Sequence, residues 1–157
     1  MHCYDCDLDV IKTSFTSYSE SRFHADIAKE ISSITGKFEL FDRARILLEN
    51  SMQDQHVIFT ETAMISNICL EQIDRPIHMF YKFSDQLEIA QNTENKSVDM
   101  AFVLVSPESD GAIHLRRLSR LSRLMQDQGF YERLRQVEDK DIIRLQFMFP
   151  EVEEKAA

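Results

Sequence analysis

A short apolar run in the second half of the chain constrains the fold most. From Asp99 to Val105 the residues are Asp-Met-Ala-Phe-Val-Leu-Val, which are rich in strand formers. Because neighbouring residues of a strand point to opposite faces of a sheet, this run is apolar on both faces. It therefore predicts a central strand that is covered on two sides.

The residues after this strand predict a turn and an amphipathic helix. Ser106-Pro107 ends the strand, and Ser109–Gly111 supplies turn residues. Apolar residues then recur at helical spacing, and Gln128-Gly129 is predicted to end the helix. The apolar positions are Ile113, Leu115, Leu118, Leu121, Leu124 and Met125. The opposite face carries Arg116, Arg117, Arg120 and Arg123.

His114 lies in the first turn of this predicted helix. Unpaired N–H groups and the helix dipole favour an anion there, and they favour neutral over protonated imidazole. A neutral ring is a potential nucleophile, and the same helix start would accept a phosphoryl group. One interpretation is chemistry with phosphate, and the other is a histidine that only caps or packs.

The remaining patterns predict one α/β domain over residues 1–157, with residues 1–7 and 150–157 as flexible ends. Helices are predicted from Ser19 or Ser21 to Ile34, from Leu40 to Asn50, and over 131–136 and 140–147. Strands are predicted at 57–59, 63–68 and 76–83, with a polar loop over 87–96. This order predicts a mixed β-sheet sandwiched by helices and disfavours strictly alternating Rossmann-like folds.

Composition excludes several classes of function. The net charge of −9 argues against general binding to nucleic acid or anionic membranes. Without a transmembrane run or signal peptide, we expect a cytoplasmic protein. Cys3 and Cys6 form a C-x-x-C that we interpret as two terminal thiols, not a redox or metal site. Glycine-rich nucleotide motifs are missing, so no cofactor and no metal are expected.

The central segment resembles a known family. Val98–Glu108 matches the pattern V-D-x-x-F-x-L-V-x-P-E, and His114-Leu115 follows at the start of a helix. The helix pattern L-S-R-L-x-R-L and Arg133–Arg135 add to the match. These residues resemble the type-2 enzyme IIA domain of the bacterial phosphoenolpyruvate-dependent phosphotransferase system. The resemblance covers residues 8–147, implies the mannitol/fructose/Ntr type of fold, and is closest to the free-standing nitrogen-regulatory (Ntr) branch.

The resemblance also implies where a phosphoryl group would be carried. In the family, a histidine in a glycine-rich segment accepts this group from the phosphocarrier HPr, and a basic residue follows it. The matching stretch, Ile58–Leu70, places Asn67 at the acceptor, Cys69 at the basic position and Glu61 at an Asn position. His114 matches the second histidine, which supports the phosphorylated ring. An Asn amide nitrogen has no available lone pair, and losing the cation removes charge stabilisation.

These departures predict a regulatory module that carries no phosphoryl group and has no enzyme activity of its own. It would bind a regulatory protein, with HPr or an HPr-like phosphocarrier as candidates, through a surface around the replaced acceptor. That surface is predicted to include Phe59, Met64, Ile65 and Asn67.

Two other interpretations stay open at the sequence level. A working phosphocarrier would use His114, His78 or His56 as the acceptor. The arginines after His114, Arg116 and Arg120 among them, would either engage an acidic protein or nucleic acid, or form a solvated face paired with acidic residues. The sequence does not indicate an oligomeric state.

Overall fold

The computed structural model of the chain describes residues 7–53, 57–60, 62–91 and 94–150. The predicted flexible ends lie outside these ranges except for Asp7 and Pro150, and Cys3, Cys6, His56 and Glu61 lie outside them too. The strands are β1 (Val10–Phe15), β2 (Ile58–Thr60), β3 (Ala63–Leu70), β4 (Ile77–Gln91) and β5 (Glu94–Pro107). The α-helices are α1 (Glu20–Thr35), α2 (Leu40–Gln53), α3 (Ala112–Gln126), α4 (Gln128–Gln136) and α5 (Lys140–Met148).

The strands form one mixed sheet in the order β1-β4-β5-β3-β2. β5 lies in the middle, parallel to β3 and antiparallel to β4. Its alternate side chains are fully buried in two separate cores. Ala101, Val103 and Val105 face α1 and α2, whereas Met100, Phe102 and Leu104 face the layer of α3, α4 and α5. The prediction of a central strand in a sheet sandwiched by helices is confirmed.

α1 begins and ends where the sequence predicts. The Ser19 hydroxyl accepts a hydrogen bond from the Arg22 backbone N–H at 3.2 Å, which satisfies one of the unpaired N–H groups of the first turn. Gly36 ends the helix in the left-handed conformation with φ of +70°, which glycine adopts without a Cβ clash. The helix buries Phe23, Ile27, Ala28 and Ile31 against the sheet.

β1 was missed by the sequence analysis. Its residues, Val-Ile-Lys-Thr-Ser-Phe, contain too few apolar positions for a clear alternation. The strand is held at the sheet edge by parallel pairing with β4 and by the ion pairs of Lys12. Lys12 Nζ lies 2.7 Å from an Asp26 carboxylate oxygen and 2.9 Å from one of Glu30, and the Tyr81 hydroxyl donates to Asp26 at 2.7 Å.

Most of the predicted loop over 87–96 is strand. β4 continues to Gln91 and pairs antiparallel with β5, which begins at Glu94. Leu87, Ile89 and Val98 lie on one face and are buried against the α1 side, whereas the Glu88 side chain on the other face is exposed. The polar residues between the apolar ones therefore belong to the exposed face of an extended strand pair, not to a loop.

The prediction that Gly129 ends the long helix is wrong. α3 already ends at Gln126, and Gly129 lies within α4. The Asp127 carboxylate accepts a hydrogen bond from the Phe130 backbone N–H at 3.1 Å and so caps α4 at its start. An aspartate cap thus begins a new helix two residues before the glycine. None of the helices in the described ranges is both long and apolar enough to cross a bilayer.

His24 makes the stability of the fold sensitive to acid. Its side chain is 2% exposed, and neither ring nitrogen has a hydrogen-bond partner among the described residues. Burial lowers the pKa of His24 to about 4, only partly opposed by the charge of Glu49. The unfolded chain therefore binds this proton more readily as the pH falls below about 6.5, and the folded state loses stability.

We expect His24 to contribute a loss of about 2 kcal/mol in the free energy of unfolding between pH 7.5 and pH 5. Urea titrations of the wild-type protein and His24→Leu at both pH values would measure it. The variant is expected to lose less stability on acidification than the wild type. Equal losses would show that His24 does not carry this dependence.

Phe147 fastens the second helical layer to the sheet. Its ring lies 5.2 Å from that of Phe80, 5.3 Å from that of Phe102 and 5.2 Å from that of Phe130. Phe147→Ala should therefore lower the free energy of unfolding by about 4 kcal/mol, because it leaves a cavity among three rings. Phe149, which is 40% exposed, provides the control, since Phe149→Ala should cost under about 1 kcal/mol. Equal costs in urea titrations would contradict this packing.

Candidate functional site

The candidate site lies at the carboxyl ends of the parallel strands β3 and β5. Asn67 and Cys69 alternate with Ser66 and Ile68 along β3, so their side chains lie on the face that packs against α3. Cys69 pairs with Ser106 of β5 in the register, which places these two residues side by side on that face. Strand ends of this kind are frequent ligand sites in α/β sheets.

α3 brings His114 down onto these strand ends. Gly111 precedes the helix with φ of +53°, and its carbonyl accepts the His114 backbone N–H at 3.1 Å. The imidazole is only 7% exposed. Its Nδ1 lies 2.7 Å from Ser106 Oγ, and its Nε2 lies 3.1 Å from Asn67 Oδ1. The structure therefore brings together His114 and Asn67, the two positions that the sequence analysis singled out.

A chain of hydrogen bonds fixes the protons on this ring. Arg117 Nη1 donates to Asp110 at 2.6 Å and to Ser106 Oγ at 3.2 Å. Because the Asn67 Oδ1 atom can only accept, we infer that Nε2 carries a ring proton and donates it to this oxygen. In a neutral ring, Nδ1 then accepts the proton of the Ser106 hydroxyl, whose oxygen also accepts from Arg117. We call Asp110, Arg117, Ser106, His114 and Asn67 the His114 network.

The electrostatics of the network favour an uncharged ring. Burial lowers the pKa of His114, and the positive charge of Arg117 lowers it further, whereas Asp110 acts in the opposite direction. A neutral imidazole with its proton on Nε2 is compatible with both hydrogen bonds, because Asn67 Oδ1 accepts and the Ser106 hydroxyl can donate.

Cys69 supplies no charge to the site. Its side chain is partly buried, and burial raises the pKa of the thiol, as do the nearby carboxylates of Glu108 and Asp110. The opposing charge of Arg117 does not offset these effects. Cys69 is therefore a neutral thiol at neutral pH. Arg117 is the cation of the network, and its guanidinium is already engaged by Asp110.

The predicted contact surface around Asn67 is wrong in two of its members. Met64 and Ile65 are fully buried, and strand alternation sends them into opposite cores. Phe59 is partly buried and packs against the α1 side, with Lys96 Nζ 5.5 Å from its ring centroid. Ile65 lies on the same sheet face as Asn67 but is fully buried, whereas Met64 and Phe59 pack on the opposite side. Glu61 lies outside the described residues.

Two apolar residues beside His114 are exposed, although the sequence pattern predicts both on the buried face of the helix. Ile113 is 45% exposed and Leu115 is 64% exposed. The buried stripe of α3 runs through His114, Leu121 and Met125. The helical period of the leucines could not separate these positions, because apolar residues lie on both sides of the buried stripe.

The other candidate histidine, His78, lies within the sheet face. It is 4% exposed, and its ring lies edge-on to that of Phe102, with centroids 5.9 Å apart. Its backbone N–H donates to the Asp9 carboxylate at 2.9 Å. Within the described ranges, no group of three or more His, Cys, Asp or Glu side chains could hold a metal ion.

Comparisons with known proteins agree with this fold and identify the family. The family described as "Phosphoenolpyruvate-dependent sugar phosphotransferase system, EIIA 2" matches residues 63–147. A "Nitrogen regulatory protein" of Bradyrhizobium diazoefficiens is 30% identical over 74 residues, which are 47% of this chain and 48% of that protein. The match to this curated relative therefore spans about half of its length.

A solved structure gives a likeness over most of the fold. The nitrogen regulatory protein IIA-Ntr from Neisseria meningitidis superposes with a TM-score of 0.74 at 15% sequence identity. The match covers 87% of this chain and 92% of that one. The family match includes Asn67 and His114 within its bounds. The chain belongs to the type-2 EIIA family of the phosphoenolpyruvate-dependent sugar phosphotransferase system, with an Ntr-like fold.

Proposed function

We propose that this chain is a regulatory member of its family that accepts no phosphoryl group and acts by binding a protein partner. The similarity to a "Nitrogen regulatory protein" and to a IIA-Ntr fold supports a regulatory role. The partner determines which pathway the protein regulates. One candidate for this partner is HPr or an HPr-like phosphocarrier.

The observation that carries this proposal is the contact between His114 Nε2 and Asn67 Oδ1 at 3.1 Å. A phosphoacceptor histidine must present a lone pair to the incoming phosphorus. The Asn67 amide nitrogen offers none, because its lone pair is delocalised into the carbonyl. In the tautomer inferred above, the neighbouring imidazole offers none either, because Nε2 carries the ring proton and Nδ1 accepts from Ser106.

Among the described residues beside the pair, neither Cys69 nor Arg117 supplies a free cation for phosphoryl transfer. A transferred phosphoryl group needs donors or cations placed to neutralise its developing charge. Cys69 is a neutral thiol, and the Arg117 guanidinium is bound to Asp110 at 2.6 Å. If no phosphoryl group is added or removed, the charge of the site does not change. The protein would then keep one state for binding its partner.

Incubation with phosphoenolpyruvate, enzyme I and HPr, followed by intact-mass measurement, tests this proposal. We expect no phosphoryl adduct on the wild-type chain, while an enzyme IIA protein that has a phosphoacceptor histidine is modified in the same reaction. A stoichiometric phosphoryl adduct on the wild-type chain would contradict the proposal. His→Gln variants at positions 56, 78 and 114 would then identify which histidine carries it.

The charge argument predicts a selective effect on His114. Arg117→Gln should raise the pKa of His114, because it removes the positive charge that lies on the Ser106 side of the ring. Arg116→Gln is the matched control, since Arg116 is exposed on the same helix and should leave that pKa nearly unchanged. NMR titration of the His114 ring would measure both. Equal shifts in the two variants would contradict the assigned network.

A further inference from the structure

α3 has a charge composition unlike that of the rest of the chain. The chain holds 27 acidic and 18 basic residues, yet α3 contains four arginines and no acidic residue. Solvated helix faces usually mix the two signs, because pairs of opposite charge spaced three or four residues apart stabilise the helix. The basic character of α3 therefore stands out on an acidic protein.

Three of these arginines form one exposed row. Arg116, Arg120 and Arg123 follow one another at spacings of four and three residues, which places them on the same side of the helix, and all are exposed. We call these residues the arginine row. Arg117 lies on another side and belongs to the His114 network.

The arginine row has no acidic counterpart in the part of the chain that the structure describes. No Asp or Glu oxygen within those ranges lies within 4.0 Å of its guanidinium groups, whereas Arg75, Arg135 and Arg144 each pair with an aspartate. A solvated face paired with acidic residues is therefore not what the structure shows for these three residues.

Keeping these charges together costs stability. Like charges three or four residues apart on a helix repel each other and destabilise it. Only Arg123, in the last turn of α3, is placed to gain from the helix dipole. Among the described residues, no contact offsets this repulsion at Arg116 and Arg120. We therefore look for a contact outside the chain.

The row also begins beside the candidate site and next to exposed apolar surface. Ile113, 45% exposed, precedes Arg116 by one turn and lies on the same side of the helix. Arginine is enriched at protein interfaces, and the buried centre of an interface is more apolar than the rest of the surface. One apolar anchor followed by three guanidinium groups fits a rod-like partner that presents carboxylates in a matching row.

We propose that the arginine row, with Ile113, docks an acidic helix of a partner protein whose carboxylates recur at helical spacing. The inference rests on the proposed function and names the chemistry of the partner. Because the chain carries a net charge of −9, an acidic partner is repelled elsewhere and attracted here, which fixes its orientation. The same net charge disfavours nucleic acid, whose phosphates would meet the whole acidic surface.

Fluorescence anisotropy with defined probes tests this proposal on the full chain. The first probe is a synthetic helical peptide with Glu at positions i, i+4 and i+7 and a leucine one turn before them. The second has the same composition, with its Glu residues spread around the helix. The matched peptide should bind about tenfold more tightly, and its affinity should fall as the salt concentration rises.

Paired variants separate the row from overall charge. The triple variant Arg116→Gln, Arg120→Gln and Arg123→Gln should lose about tenfold in affinity for the matched peptide. The control triple Arg22→Gln, Lys29→Gln and Arg43→Gln removes the same charge from exposed positions of α1 and α2 and should change little. Equal binding of the two peptides, or equal losses in the two triple variants, would overturn the proposal.

Duplex DNA and phosphatidylglycerol vesicles complete the set of probes. Tighter binding of either one, if lost in the arginine-row triple variant, would also overturn the proposal by assigning the row to another class of partner. The outcome is separate from that of the phosphotransfer assay. A chain that takes no phosphoryl group but does not distinguish the two peptides would keep the proposed function and lose this inference.

Discussion

The contact between His114 and Asn67 is the central interaction of the candidate site. It joins the first turn of α3 to the carboxyl end of β3, and it completes a chain of hydrogen bonds that starts at Asp110. Every polar group in that chain has a partner, which a buried imidazole requires if it is not to destabilise the fold. In the tautomer that we propose, the same bonds engage the ring lone pair on which phosphoryl transfer would depend.

The architecture explains why this contact forms. β5 is buried on both faces, so its neighbour β3 is held in a fixed register, and Cys69 and Ser106 are side by side. The helices α3, α4 and α5 pack on that face through an aromatic cluster around Phe147. His114 therefore reaches the strand ends because the packing below it fixes the start of α3, and the exposed side of α3 remains available to a partner.

Strong local signals made a large part of the fold predictable. The uninterrupted apolar run of β5, the Ser19 cap and Gly36 each point to one structure, and the observed elements agree with them. The pairing of Asn67 with His114 could be anticipated only through the family resemblance, because 47 residues separate the two positions. Spacing along the sequence says nothing about such a distant contact.

The remaining features depend on tertiary contacts that a local pattern does not contain. The residues of β1 do not alternate clearly. The strand is held by its pairing with β4 and by the ion pairs of Lys12 with Asp26 and Glu30 on α1. Met64 and Ile65 were placed on a surface because they lie close to Asn67 in sequence, although the sheet buries both. Ile113 and Leu115 show the reverse error, since apolar character alone does not tell which side of α3 faces the core.

The position of the proton on the His114 ring tests directly whether this site is closed to a phosphoryl group. A long-range ¹H–¹⁵N correlation spectrum of the full chain at pH 7.5 distinguishes the two neutral tautomers from imidazolium. We expect the neutral tautomer with the proton on Nε2, donated to Asn67. A ring protonated on Nδ1 alone would leave the Nε2 lone pair free toward position 67 and would contradict the claim that this site is closed to a phosphoryl group.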